Sequence, residues 1–357
     1  MALAACGGKS ASSPMGSQIG PAMSAALDGA DKARAPYRCA AADGPEVVTE
    51  TVKVGDASWM LAKHVALRVP ATMPASNDAG ALATEIAAHG DSRIGVIADA
   101  GGAAPTTIAA LGRLRATFSA AELVLVLGGM GTTKAELVAT LGALTDKATY
   151  AVIAMPGDLE DAGALTAAIA ELRAKGAVIF DGRLVQKVVV PDATIALVAG
   201  VGAPGRTVAG SDGCVYARSD VDRIAADLVA SSGVRILASN ESPRVDGVGF
   251  QSGDTPSAYA ADPAMGELSI TAAGFDVALH GPSPAQDGAT NGASGGENGV
   301  TRKMGGARIG GATEVTPGSA DATPRLPGGA HAPTAGLLTV ANDKWIWDPI
   351  VDAPQKK

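Results

Sequence analysis

Aromatic side chains make up only 3% of this 357-residue chain, although 47% of it is hydrophobic. Its core must therefore be built from Ala, Val, Leu and Ile. Histidine occurs four times, at His64, His89, His280 and His331. Cysteine occurs three times, at Cys6, Cys39 and Cys214, with no CxxC pair or Cys/His spacing of the zinc-binding kind. Acidic and basic residues are interspersed at a formal net charge of −8. No Lys/Arg cluster reaches the density of a nucleic-acid footprint, which excludes nucleic acid as a partner. Apolar runs such as Val96–Ala98 and Leu123–Leu127 are far too short to span a bilayer.

What is present is length enough for one large domain or two ordinary ones. The 46 glycines are spread along the chain, as are the many alanines, and this reads as compositional bias rather than a functional signal. Glu46–Val54 and Trp59–Val69 are predicted strands, with β-branched residues and partial alternation. Ala71–Ala88 is a predicted loop leading into a helix. From Arg93 the rhythm changes. Apolar strands at Arg93–Ala98, Leu123–Leu127, Thr149–Met155 and Ala177–Phe180 alternate with amphipathic helices. These helices carry Ile108, Leu111 and Leu114, then Leu137, Leu141 and Leu144, then Leu165, Ile169 and Leu172. Strands without polar alternation imply a parallel sheet covered on both faces. Thr133-Lys134-Ala135-Glu136 is a capping box that starts the second of these helices.

A hairpin is predicted at Leu184–Val190 and Thr194–Ala199, around Pro191-Asp192. A helix on Val221, Ile224 and Leu228 follows, then strands at Val234–Ala238 and Phe275–Leu279. Residues 283–335 are dominated by Gly, Ala, Thr, Ser and Pro and read as a low-complexity loop. Leu337–Val340 and Lys344–Trp347 form a closing hairpin, with Trp345 and Trp347 on one face as core packing. The passage from βαβ units to hairpins and back predicts an α/β fold of four layers, α/β/β/α.

The strand ends carry the candidate chemistry. They read Asp99-Ala100-Gly101, Gly128-Gly129-Met130, Pro156-Gly157-Asp158-Leu159-Glu160, Ser239-Asn240-Glu241 and Leu279-His280-Gly281. This ladder resembles the calcineurin-like metallophosphoesterase superfamily over roughly residues 45–282 plus the closing strands. The resemblance implies a sandwich of metallophosphoesterase type, with strand ends that deliver carboxylates and imidazoles to two metal ions. Residue by residue, the family's first Asp is kept as Asp99. Its following His is replaced by Gly101. Met130 stands where the bridging Asp belongs, Leu159 replaces the acid histidine, and Asn240 takes a His slot. His280 is the nearest match to the last ligand motif. What this implies is a degenerate member that is catalytically impaired or inactive and acts as a binding or scaffold module. The competing reading is an active metal-dependent phosphoesterase with an altered single-metal site. In that case Asp99, Asp158, Asn240 and His280, the vestigial metal candidates, would hold at most one divalent ion such as Mg or Ca. Against both stands the plainer reading of Asp99 and Asp158 as solvated or helix-capping residues. No residue is assigned a catalytic role, and His64 and His89 read as isolated surface or core residues.

Leu3-Ala4-Ala5-Cys6 resembles a bacterial lipobox. It is followed by a polar tether, Gly7-Gly8-Lys9-Ser10-Ala11-Ser12-Ser13-Pro14. The resemblance implies that Cys6 carries a lipid anchor and that the membrane is one partner, a protein or small molecule being the other. It places the chain in the bacterial cell envelope, facing the periplasm or the outside. A chance match in an Ala-rich chain is the alternative. If Cys6 is lipidated, Cys39 and Cys214 form an even pair in an oxidising compartment, as a disulfide or as two buried thiols. The expected organisation is residues 1–36 as lipobox and tether, 37–282 as the metallophosphoesterase-like domain, 283–335 as the loop, and 336–351 as closing strands of that domain.

Overall fold

The computed structural model describes residues 39, 50–54, 57–62, 64–71, 79–88, 90–202, 207, 213–241, 275–281, 308–309, 312–321 and 332–352. Cys6 and the expected 1–36 tether lie outside these residues. In chain order the elements begin with strands β1 (Glu50–Val54), β2 (Ala57–Ala62) and β3 (Val65–Val69), and helix α1 (Ala79–Ala87). The alternating stretch then gives β4 (Asp91–Ile97), α2 (Pro105–Thr117), β5 (Leu123–Leu127), α3 (Lys134–Thr145), β6 (Ala151–Met155), α4 (Ala162–Ala174) and β7 (Ile179–Asp181). After it come β8 (Lys187–Val190), β9 (Ala193–Val198), α5 (Arg218–Val229), β10 (Val234–Ser239) and β11 (Val277–His280). The chain closes with β12 (Arg308–Ile309), β13 (Ala312–Val315), β14 (Thr334–Ala341) and β15 (Lys344–Val351).

Two sheets result. One has nine strands in the order β1-β2-β3-β8-β9-β10-β11-β13-β12, the other six in the order β15-β14-β4-β5-β6-β7. Strands β4 to β7 run parallel. They are apolar on both faces because both are covered. Ile94, Val96, Leu125, Leu127, Ile153 and Met155 point into a core shared with Val188, Ile195, Leu197, Ile236 and Leu279 of the opposite sheet. Val124, Val126 and Val152 point the other way, onto Leu111, Leu114, Leu137, Leu141 and Leu165 of the helices α2, α3 and α4. The outer face of the nine-stranded sheet is covered by α5 through Val221, Ile224 and Leu228, and by α1 through Leu82 and Ile86. This is the four-layer α/β/β/α sandwich expected from the alternation of elements. Burying each large aliphatic side chain contributes about 2 kcal/mol, so the shared inner core is a principal source of stability.

Local signals account for the element ends. Thr133 caps α3 reciprocally with Glu136, and Asp161 accepts the Ala164 N–H at 2.6 Å to start α4. The β14–β15 turn is Asn342-Asp343, both at positive φ (54° and 56°), as a two-residue hairpin loop requires. Trp347 is fully buried in the inner core and Trp345 packs against it.

The structure departs from expectation in three places. Trp59–Val69 is not one strand but the antiparallel pair β2–β3, turning between Ala62 and Val65. Lys63-His64 carries none of the Gly or Asn-Gly chemistry that marks a tight turn, so the apolar rhythm ran through it. The strand β8 starts at Lys187 rather than Leu184, because the Leu184 and Val185 amides both donate to the Asp181 carbonyl in a tight turn. Finally, residues 283–335 are not all loop. β13 joins the nine-stranded sheet beside β11, and residues 316–321 cross to the end of β4. Ala312-Thr313-Glu314-Val315 is too short a β-branched run to stand out from its Gly- and Pro-rich surroundings.

Candidate functional site

The registers bring the strand ends together. Ile97 aligns with Val126, and Leu127 with Met155. In the other sheet Ser239 aligns with both Val198 and His280. The loops after β4, β5, β6, β10 and β11 therefore converge at one end of the sandwich, and Asp99, Gly128, Gly157, Asn240 and Gly281 meet there.

Asn240 occupies the middle. Its Nδ2 donates to the Leu127 carbonyl across the sheets at 2.7 Å, and its own carbonyl accepts the Gly281 N–H at 3.0 Å. The surrounding glycines are in close contact with it. A Cβ on Gly128 would lie 2.5 Å from Asn240 Nδ2 and 2.8 Å from Gly157 Cα. A Cβ on Gly281 would lie 2.6 Å from the Asn240 carbonyl oxygen. Gly128 has φ +81°, a conformation that suits glycine.

Asp99 sits on the rim. Its φ is +53°, its N–H donates to the Gly128 carbonyl at 2.9 Å, and its carbonyl accepts from Ser319 Oγ at 2.8 Å and the Asp321 N–H at 2.9 Å. A Cβ on Gly129 would come within 2.6 Å of Asp99 Cα. Asp158 follows Gly157 and is half-buried.

His280 is fully buried. Along β11, Val277 and Leu279 face the inner core while Ala278 packs under α5. By strand alternation His280 shares the α5 side and is turned away from Asn240. Its Nδ1 bonds to the Gly281 carbonyl at 2.9 Å, so Nδ1 carries the proton. Burial pushes its pKa down to about 4 and keeps the ring neutral.

Glu160, the last residue of the Pro156–Glu160 stretch, organises this end of the molecule. It is fully buried, its Oε1 accepts the Met130 N–H at 2.5 Å, and its Oε2 accepts the Gly157 N–H at 2.7 Å. One carboxyl thus ties the loop after β5 to the loop after β6. Burial pushes its pKa up to about 7, against the opposing pull of the two amides, and Asp158 adds to the rise. Glu241 does similar work nearby: its Oε2 accepts the Gly202 N–H at 3.0 Å and the Tyr216 hydroxyl at 2.8 Å. An acid shortly after a strand end was the available signal for both, but such residues usually cap or face solvent. Cys39 and Cys214 are joined by a disulfide, with Cα atoms 4.7 Å apart.

The four metal candidates thus share one end of the fold. Asn240 and Asp99 border the glycine contacts, Asp158 is adjacent in sequence to Gly157, and His280 lies by strand alternation on the α5 side. Among the described residues, no three His, Cys, Asp or Glu side chains are grouped to hold a metal ion. The two-metal centre that the resemblance implies needs a shared carboxylate and ions about 3.5–4 Å apart. Met130, at the bridging position, is buried in the cluster beneath α2–α4. Beside it the Gly128 and Gly157 backbones and the Asn240 carboxamide are packed so closely that neither glycine has space for a Cβ. These residues do not fit a binuclear centre.

No family model matches the chain, and no curated protein matches it. Among solved structures it is similar to TT1561 of Thermus thermophilus, at 11% identity and TM-score 0.47, over 74% of this chain and 100% of that one. It is similar to GAP50, the anchor in the inner membrane complex of Plasmodium, at 9% identity and TM-score 0.43, over 74% and 86%. It is also similar to a Staphylococcus aureus protein assigned as a 5'-nucleotidase, in complex with alpha-ketoglutarate, at 11% identity and TM-score 0.41, over 75% and 56%.

Proposed function

We propose that this chain is a metallophosphoesterase-like protein without a working binuclear centre, acting as a binding or scaffold module in the bacterial cell envelope. The observation that carries this reading is the filled strand-end cradle. Asn240 packs against Gly128, Gly157 and Gly281, and Glu160 draws the β5 and β6 loops together. Two metal ions need a shared carboxylate after β5, and Met130, in that place by the resemblance, is buried in the cluster beneath α2–α4 instead. The disulfide between Cys39 and Cys214 supports an oxidising compartment, since such bonds are rare in the mesophilic cytosol. The Cys6 lipobox reading places the anchor in the membrane, with a protein or small molecule as the other partner.

The test is metal loading of the purified full-length chain with Mn, Zn and Fe, followed by desalting, metal analysis and assay on a generic phosphodiester. Substoichiometric metal and no turnover above buffer are expected. Two retained equivalents, with turnover lost in Asp99→Ala and Asp158→Ala, would refute the proposal. For the anchor, lipid-labelled protein should fractionate with membranes, and Cys6→Ser should abolish both label and membrane association. An unlabelled, soluble wild type would overturn the envelope assignment.

A further inference from the structure

Away from the strand ends, a pocket of about 200 Å³ opens on the outer face of the nine-stranded sheet, between α5 and the strands β3, β8 and β9. That is below the usual 300–1,000 Å³ of drug-sized sites and fits a small metabolite. Its floor is apolar and includes Ile224 and Leu228, both buried. Its lining carries charge of both signs. Lys187 stands on β8 and Asp227 on α5, and among the described residues neither makes an ion pair although both line the same pocket.

Two further groups are fixed in place. Arg223 donates to Gln186 Oε1 at 2.7 Å and lies 3.8 Å from Asp220, which holds its guanidinium at the pocket edge. His64 Nδ1 donates to the Leu184 carbonyl at 2.9 Å, which fixes the ring at the pocket edge. Arg223 is one turn before Asp227 on the same helix face, since residues four apart are neighbours.

We propose that this pocket binds a small zwitterion of amino-acid size. Lys187 takes the carboxylate. Asp227 takes the ammonium group, and the side chain lies on Ile224 and Leu228. A simple anion would leave Asp227 unanswered, and a simple cation would leave Lys187 so. A ligand carrying both charges satisfies the two at once.

The experiment uses the full-length chain and a panel of free L-amino acids, read by thermal shift and then calorimetry. At least one apolar amino acid should raise the melting temperature and bind. Its amide and its N-acetyl derivative, each lacking one charge, should bind at least about tenfold more weakly, a loss of about 1.4 kcal/mol. Lys187→Met and Asp227→Asn should each weaken binding by a similar factor. The derivatives are tested on wild-type protein, so the outcome does not depend on the variants folding. The proposal is overturned if no amino acid binds at millimolar concentration, if the derivatives bind as well as the parent, or if binding survives both substitutions.

Discussion

Replacing Gly128 with alanine puts a methyl group where the protein already has atoms. The Cβ would sit 2.5 Å from Asn240 Nδ2 and 2.8 Å from Gly157 Cα and N. Asn240 can rotate away only by giving up its bond to the Leu127 carbonyl, and the Gly157 backbone cannot rotate away at all. A left-handed backbone adds about 1–2 kcal/mol for a residue with a Cβ, and overpacking a filled interior adds about 1–3 kcal/mol. Gly128→Ala should therefore cost about 2–5 kcal/mol, a large part of the 5–15 kcal/mol that holds a typical domain. Urea unfolding followed by tryptophan fluorescence measures it, with Trp59 and Trp347 both in the inner core. Combining Gly128→Ala with Asn240→Ala should recover about 1 kcal/mol or more relative to the sum of the single changes, because the second change removes one of the two clashes. If Gly128→Ala costs less than about 0.5 kcal/mol, within the range of an ordinary surface substitution, then the strand-end loops are not close-packed around Asn240.

Two further outcomes can be measured. Glu160 has a folded pKa raised to about 7 from 4.5, so its contribution is full below the unfolded value and is lost as pH rises through 7. The loss amounts to at most about 3 kcal/mol. Glu160→Gln removes the titration, so the stability gap between wild type and variant should be widest near the unfolded pKa and narrow as pH rises past 7. His280, lowered to about 4, loses its contribution as pH falls from 6.5 through 4 in both proteins and cancels in the difference. A gap independent of pH would contradict the assignment. Replacing Cys39 and Cys214 together by serine opens a loop of sequence separation 175 and should lower stability by up to about 5 kcal/mol on the chain-entropy view. A pair of variants with unchanged urea midpoints would show that the bridge constrains nothing.

The layers were legible in the residues because periodicity and burial follow one rule. Leu123–Leu127 is apolar at every position, and both its faces are covered. The strand-end position of Asp99, Asp158, Asn240 and His280 was legible too, since each lies just beyond or at the end of an apolar run. Their mutual orientation was not. His280 turns away because β11 alternates, and its parity depends on the register with β10, which local sequence does not encode. Glu160 was obscured for a related reason. Its partners, the amides of Met130 and Gly157, are backbone groups without sequence identity. The β2–β3 turn and the strand β13 were hidden because neither carries a turn or composition signal of its own. The pocket under α5 draws on β3, β8, β9 and a helix, and no single stretch of chain announces it.

The pairing of β14 with β4 joins Gly336 to Val96 and Ala341 to Asp91. A strand far along the chain thus sits beside the first strand of the parallel sheet and shields its flank. Until β14 has paired, that flank stays bare and the parallel sheet is unfinished. Contacts between such distant parts of a chain form slowly. Refolding from denaturant should therefore pass through a slow phase in which that flank is exposed.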